Sequence, residues 1–102
     1  MITASFFREL ALSFPEATEA PHFEKTSFRV RNKIFATLDL KKIQACIRLS
    51  PIHQDVFSSF DIRIVYPLAN KWGKQGWTHI NLKNIPEEKC KDALKTAYLE
   101  EK

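Results

Sequence analysis

The sequence is short of glycine, of cysteine and of unbroken apolar stretches. Gly73 and Gly76 are the only glycines in 102 residues, which excludes collagen-like, linker-like and low-complexity chains. Cys46 and Cys90 are the only cysteines. They lie far apart, form no Cys-x-x-Cys, and have no histidine at finger spacing, so neither a disulfide framework nor a structural zinc site is expected. Both read as buried or half-buried thiols in a reducing cytoplasm. No apolar run approaches the ~18 residues of a membrane span. Arg8 and Glu9 interrupt the apolar residues of the N-terminus, so no signal peptide is expected there. A cytoplasmic monomer with no membrane partner is the expectation.

Motifs for chemistry are missing as well. There is no Gly-rich phosphate loop, no His-Glu-x-x-His and no Gly-x-Ser-x-Gly. The histidines are His22, His53 and His79. His22 and His53 read as surface or cap residues. Cys46 and His79 form the one pair that strand pairing could bring together. Without a third, orienting group it reads as two unrelated neighbours rather than a nucleophile and its base. No enzyme, cofactor or metal is expected.

What is present is charge, and it is segregated. The chain carries 16 Lys and Arg against 12 Asp and Glu, a net of +4. Residues 25–48 alone carry a net of +6 and residues 62–83 a net of +4, with mildly acidic segments between and around them. Such placement bears on partners more than the total does. The length fits one domain, residues 1–102.

Periodicity orders the elements. Phe6, Phe7, Leu10, Ala11 and Phe14 recur at helical spacing behind Thr3, a plausible N-cap, and Pro15 ends that helix. Residues 16–24 read as a loop with a short edge strand. Residues 25–31, 34–40 and 43–49 alternate as three strands, with turns at Asn32-Lys33 and Lys41-Lys42. Ser50-Pro51 starts a helix over residues 51–60. A brief strand in 62–66, a basic loop from Pro67 to Gly76, a strand over 77–82 and a helix opened by Pro86 complete the chain. The expected fold class is α+β: a single antiparallel sheet with N- and C-terminal helices packed on one face.

Period two then fixes which side chains share the uncovered face. They are Lys25, Ser27, Arg29, Arg31, Lys33, Phe35, Thr37, Asp39, Gln44, Cys46, Arg48, Trp77, His79 and Asn81. Two readings compete. The plain one is a solvated face whose charges keep the protein soluble. The other is an anion-binding surface, in which Arg and Lys meet phosphates while Phe35, Trp77 or Trp72 stacks on bases. The stretch Asn70-Lys71-Trp72-Gly73-Lys74-Gln75-Gly76-Trp77 is either a loop anchored by tryptophan packing or a projecting wing whose lysines meet phosphates.

The run Pro21-His22-Phe23-Glu24-Lys25-Thr26-Ser27-Phe28-Arg29-Val30-Arg31-Asn32-Lys33-Ile34-Phe35-Ala36 resembles the signature of the MmcQ/YjbR-like proteins. So do Asn70-Lys71-Trp72-Gly73, Gly76-Trp77-Thr78-His79 and a last helix ending in Ala97-Tyr98. Asn32 stands where many relatives have glycine. The resemblance implies an α+β, CyaY-like fold with a double-wing motif, and a DNA-binding label that rests largely on that shape. A frataxin-type iron role is not implied by the residues, because Glu9, Glu16, Glu19 and Glu24 are scattered and hard cations want clustered oxygens.

The expected function is nucleic-acid binding, with DNA as partner, through Lys25, Arg29, Arg31, Lys33, Arg48, Lys71, Lys74, Trp72, Trp77 and His79. The alternatives are a binder of planar aromatic small molecules, using Trp72, Trp77 and Phe35, and a protein-interaction module.

Overall fold

Thr3 opens the first helix by accepting a hydrogen bond from the Phe6 amide at 3.0 Å, as an N-cap hydroxyl does for an otherwise unpartnered donor. In this computed structural model, which describes residues 1–102, helix α1 covers Ala4–Leu12 and turns Phe7 and Ala11 wholly inward. Strands β1 (Thr18–His22), β2 (Lys25–Val30), β3 (Lys33–Asp39) and β4 (Gln44–Arg48) follow. Ser50 caps α2 (Pro51–Phe60). Then come β5 (Val65–Pro67), a single helical turn α3 (Lys71–Lys74), β6 (Trp77–Ile80) and α4 (Glu87–Glu101). The basic stretch expected as loop therefore contains a helical turn. No helix is long and apolar enough to cross a membrane.

The six strands form one antiparallel sheet in the order β1-β2-β3-β4-β6-β5. Phe28, Ala36, Leu38, Ala45, Ile47, Ile80 and Val65 turn to one face and are buried beneath the helices. The fold is α+β with the N- and C-terminal helices on that face. Tyr98 of α4 binds the layers together. Its ring stacks on Phe14 at 4.8 Å between centroids and meets the edge of Phe35 at 5.6 Å, while its hydroxyl donates to the Pro15 carbonyl at 2.6 Å. Full burial of a ring such as Phe35 contributes about 1.5–3 kcal/mol.

The first central hairpin differs from the sequence expectation at its tip. The turn is Arg31-Asn32, with φ 52° and 66°, the left-handed pair of a type I′ turn. Arg31 is thus a turn residue and not the end of a strand. Val30 pairs with Lys33 and Arg29 with Ile34. Continued unbroken, that register would carry Ala36 and Leu38 outward. A bulge prevents it. Beyond the bulge Phe28 faces Ala36 and Ser27 faces Thr37, so Phe35 is the extra residue. Phe35 was expected on the open face; it is a fully buried core residue, edge-on to Phe14 at 6.4 Å. Ile34, expected inside, shares the side of Arg29. Lys33, opposite Val30, falls on the helix side of the sheet rather than on the open face.

The β3–β4 connection is also longer than the two lysines expected. It spans Leu40–Ile43, and Asp39 Oδ1 accepts from the amides of Lys41 and Lys42 at 3.0 and 3.1 Å. Leu40 and Ile43, expected to face the core, are exposed at 58% and 44%.

Candidate functional site

Across the face that the helices leave bare, strand pairing sets Ala20, Ser27, Thr37, Cys46, His79 and Tyr66 side by side. Ser27 lies at the floor and is fully buried. Its hydroxyl donates to the Ala20 carbonyl at 2.8 Å and accepts from Arg29 Nε at 3.1 Å. That bond fixes the Arg29 guanidinium across the sheet and leaves its two terminal nitrogens for a ligand.

Cys46 and His79 are a directly opposed pair, with Sγ 3.8 Å from Nδ1. Burial pushes the Cys46 thiol up, outweighing the pull of Lys25 and Thr37. Burial and then the nearby Lys25 ammonium push His79 down. Both shifts favour the neutral forms, the reverse of a thiolate–imidazolium pair. The Tyr66 ring lies 4.9 Å from the His79 ring and covers it from the edge strand.

The cationic residues do not spread evenly over this face. Arg29 stands at the β2 end nearest the Arg31-Asn32 turn, and Lys33 follows that turn. Arg48 and Trp77 face each other at the same end of β4 and β6. Lys71 and Lys74 lie on α3, which Gln75-Gly76 joins directly to the start of β6. One end of the sheet therefore carries Arg29, Arg31, Arg48, Lys71 and Lys74, with Lys33 at the same end but on the helix side. Lys25 sits at the opposite end, where it acts on Asp39, and His79 stands between the two. Arg48 is the tethered member of the group, 3.5 Å from Glu101 and donating to the Gln75 carbonyl at 3.4 Å. Arg29, Arg31, Lys33, Lys71 and Lys74 form no ion pair. Asn81, expected on the open strand face, lies beyond β6 in a turn where it accepts from the Lys83 amide at 3.1 Å.

The Asn70–Trp77 stretch is built from both glycines. Asn70 caps α3 by accepting from the Trp72 amide at 3.0 Å. A Cβ at Gly73 would lie 1.9 Å from the Leu68 carbonyl oxygen, and one at Gly76, where φ is 103°, 2.0 Å from that of Leu49. Only glycine permits both close approaches. Gln54 of α2 holds the stretch from below, donating to the Gly73 carbonyl at 2.9 Å and to Thr78 Oγ1 at 3.1 Å. Trp77 is half-buried. Trp72 is 47% exposed, with Lys71 Nζ 5.4 Å from its ring centre.

Sequence reasoning missed Gln54, the structural role of Ser27 and the place of Tyr66. For Gln54 the signal was a polar side chain three residues before Phe57 on the inward side of an amphipathic helix. Two shallow hollows, of about 300 and 290 Å³, are lined by Glu19–Lys25 residues with Thr26 and by the Asp61–Asn84 region. Neither contains a tryptophan, and Phe35 is withdrawn into the core, so the three rings expected to stack on a planar ligand do not share one surface.

The YjbR family model matches residues 12–100. No protein of curated function matches the chain by sequence. The crystal structure of a Deinococcus radiodurans protein with a DUF419 domain is similar, with a TM-score of 0.81 at 20% identity over 97% of this chain and 78% of that one. At that identity the likeness speaks for the fold. With the family match running from the end of α1 to the end of α4, the chain belongs to the YjbR family.

Proposed function

We propose that the protein is a nucleic-acid-binding module that grips phosphates with the cationic end of its sheet. The observation that carries this reading is the convergence of Arg29, Arg31, Lys33, Lys71 and Lys74 at one end, none in an ion pair. Ser27 holds Arg29 in place, and pre-orientation lowers the ordering cost of a phosphate contact. The Arg31-Asn32 turn and α3 form two projections. With β3, β4 and β6 between them, their centres are about 14 Å apart at ~4.8 Å per strand. A B-DNA major groove is ~12 Å wide, so both projections can reach phosphates flanking one groove. These two projections are the natural candidates for the wings of a double-wing motif. Trp72, exposed beside Lys71, offers a ring to an unpaired base.

The role is binding without chemistry, in the cytoplasm, and phosphate contact of this kind is sequence-tolerant. The test is fluorescence anisotropy with random duplex and single-stranded oligonucleotides at low salt. The parent protein is expected to bind, and Arg29→Glu with Arg31→Glu to abolish binding with an unchanged circular dichroism spectrum. A double variant that binds as well as the parent would remove this surface from consideration.

A further inference from the structure

The opposite end of the sheet carries two neighbouring turns that break a local rule. Phe23, at the β1–β2 tip, has φ 58° and is 94% exposed. Ile43, at the β3–β4 tip, has φ 52° and is 44% exposed, and Leu40 beside it is 58% exposed. Glycine and asparagine suit such backbone; bulky and β-branched residues are strained there. The core gains little in return: Phe23 meets the edge of the His22 ring at 4.8 Å, and neither Leu40 nor Ile43 belongs to the buried cluster.

Charge surrounds these tips. Lys25, Lys41 and Lys42 flank them, and none of the three is in an ion pair. The Asp39 carboxylate is turned onto the Lys41 and Lys42 amides, which hold its pKa low. Glu24 is the one other acid in these two turns. Because β2 and β3 are adjacent, the two turns are roughly 10 Å apart and can touch one plane.

We propose that this end is a contact for an anionic lipid surface. Phe23, Leu40 and Ile43 enter the interface of the bilayer while Lys25, Lys41 and Lys42 meet its headgroups. Phe23 borders only the shallow hollow along β1, Leu40 and Ile43 line neither hollow, and leucine and isoleucine have no face to stack on a base. Apolar tips ringed by free lysines match a shallow interfacial contact. Each lysine near an anionic surface strengthens partition about fivefold. The contact is separate from the nucleic-acid reading, which uses the other end of the sheet.

The experiment is co-sedimentation of the full chain with vesicles of equal parts phosphatidylglycerol and phosphatidylcholine, beside phosphatidylcholine alone. Binding is expected to the anionic vesicles, weakened about tenfold or more by Phe23→Ser with Leu40→Ser and likewise by Lys41→Glu with Lys42→Glu. Arg29→Glu with Arg31→Glu should leave it largely intact. Phe23→Trp supplies a second readout: added emission that shifts to the blue on anionic vesicles. No binding to anionic vesicles overturns the proposal. So does binding that ignores the apolar substitutions, which is electrostatic adsorption alone, or binding that is lost through Arg29 and Arg31. If the apolar double variant instead dissolves a dimer in analytical ultracentrifugation, the tips are a protein contact and the proposal fails.

Discussion

Arg29 and Ser27 are joined by a 3.1 Å hydrogen bond from Nε to Oγ, and the same serine hydroxyl reaches the edge strand at Ala20. One buried hydroxyl thus ties β1 to β2 and aims a guanidinium. Ser27→Ala is expected to destabilise the fold by about 1–2 kcal/mol, the cost of leaving those partners short of a bond. It should weaken oligonucleotide binding less than Arg29→Ala does, because the charge remains. Urea unfolding read beside anisotropy separates the two effects. A variant with full stability would show that the serine holds nothing.

Phe35 and Arg31 make a second contrast. The bulge drives Phe35 beneath Tyr98 and Phe14, whereas Arg31 stands in solvent on the turn. Phe35→Ala should cost about 3–5 kcal/mol, a large share of the ~5–15 kcal/mol of a small domain. Arg31→Ala should stay within about 0.5 kcal/mol. Denaturation midpoints check both, and a mild Phe35→Ala would return that ring to the open face.

Gly73 and Gly76 each bring backbone against backbone, where no side chain can yield. Either glycine replaced by alanine should destabilise by about 1–3 kcal/mol, with Gly76→Ala also strained by its positive φ. The tryptophans on this stretch report the disturbance through their emission. An unchanged melting temperature and spectrum in Gly73→Ala would contradict the close approach to Leu68.

The Cys46–His79 pair gives a pH signature. Since burial and Lys25 hold the His79 imidazole below its ordinary value of ~6.5, the unfolded chain binds its proton more readily. Stability carried by this group is fully present above ~6.5 and falls as pH drops from there through the lower folded value. NMR titration should place the midpoint below ~6.5. Lys25→Met should raise it only in part, because burial is the larger cause. The Cys90 thiol is pushed up to about 11 by burial and then by Glu87, and Cys46 is pushed up too. Both should resist iodoacetamide at neutral pH in the native protein, with no acceleration that depends on His79. Fast labelling of Cys46 lost in His79→Asn would reveal an activated nucleophile.

Much of the fold was legible because its signals are local. Thr3, Ser50 and Pro51 mark helix starts by capping chemistry, and alternation placed Ala36, Leu38, Ala45 and Ile47 inward where the sheet has them. The hairpin tip was not legible. A turn at Arg31-Asn32 and a bulge at Phe35 are two compensating one-residue shifts, and alternation alone reads their sum. The clustering of cations at one sheet end depends on strand order, with β6 inserted between β4 and β5, which no local pattern encodes. Ser27 and Gln54 act through partners distant in sequence, so their residue types alone did not reveal them.

On the proposed function, Arg29, Arg31, Lys33, Lys71 and Lys74, none in an ion pair, neutralise phosphates at one end of the sheet. The most direct measurement is the salt dependence of duplex DNA affinity for the parent and for Arg29→Glu with Arg31→Glu. A plot of log K against log salt should fall with a slope of about −3 to −5 for the parent, at roughly −0.9 per phosphate engaged, and flatten by about 2 in the variant. A flat plot for the parent, or equal slopes for the two proteins, would contradict the account.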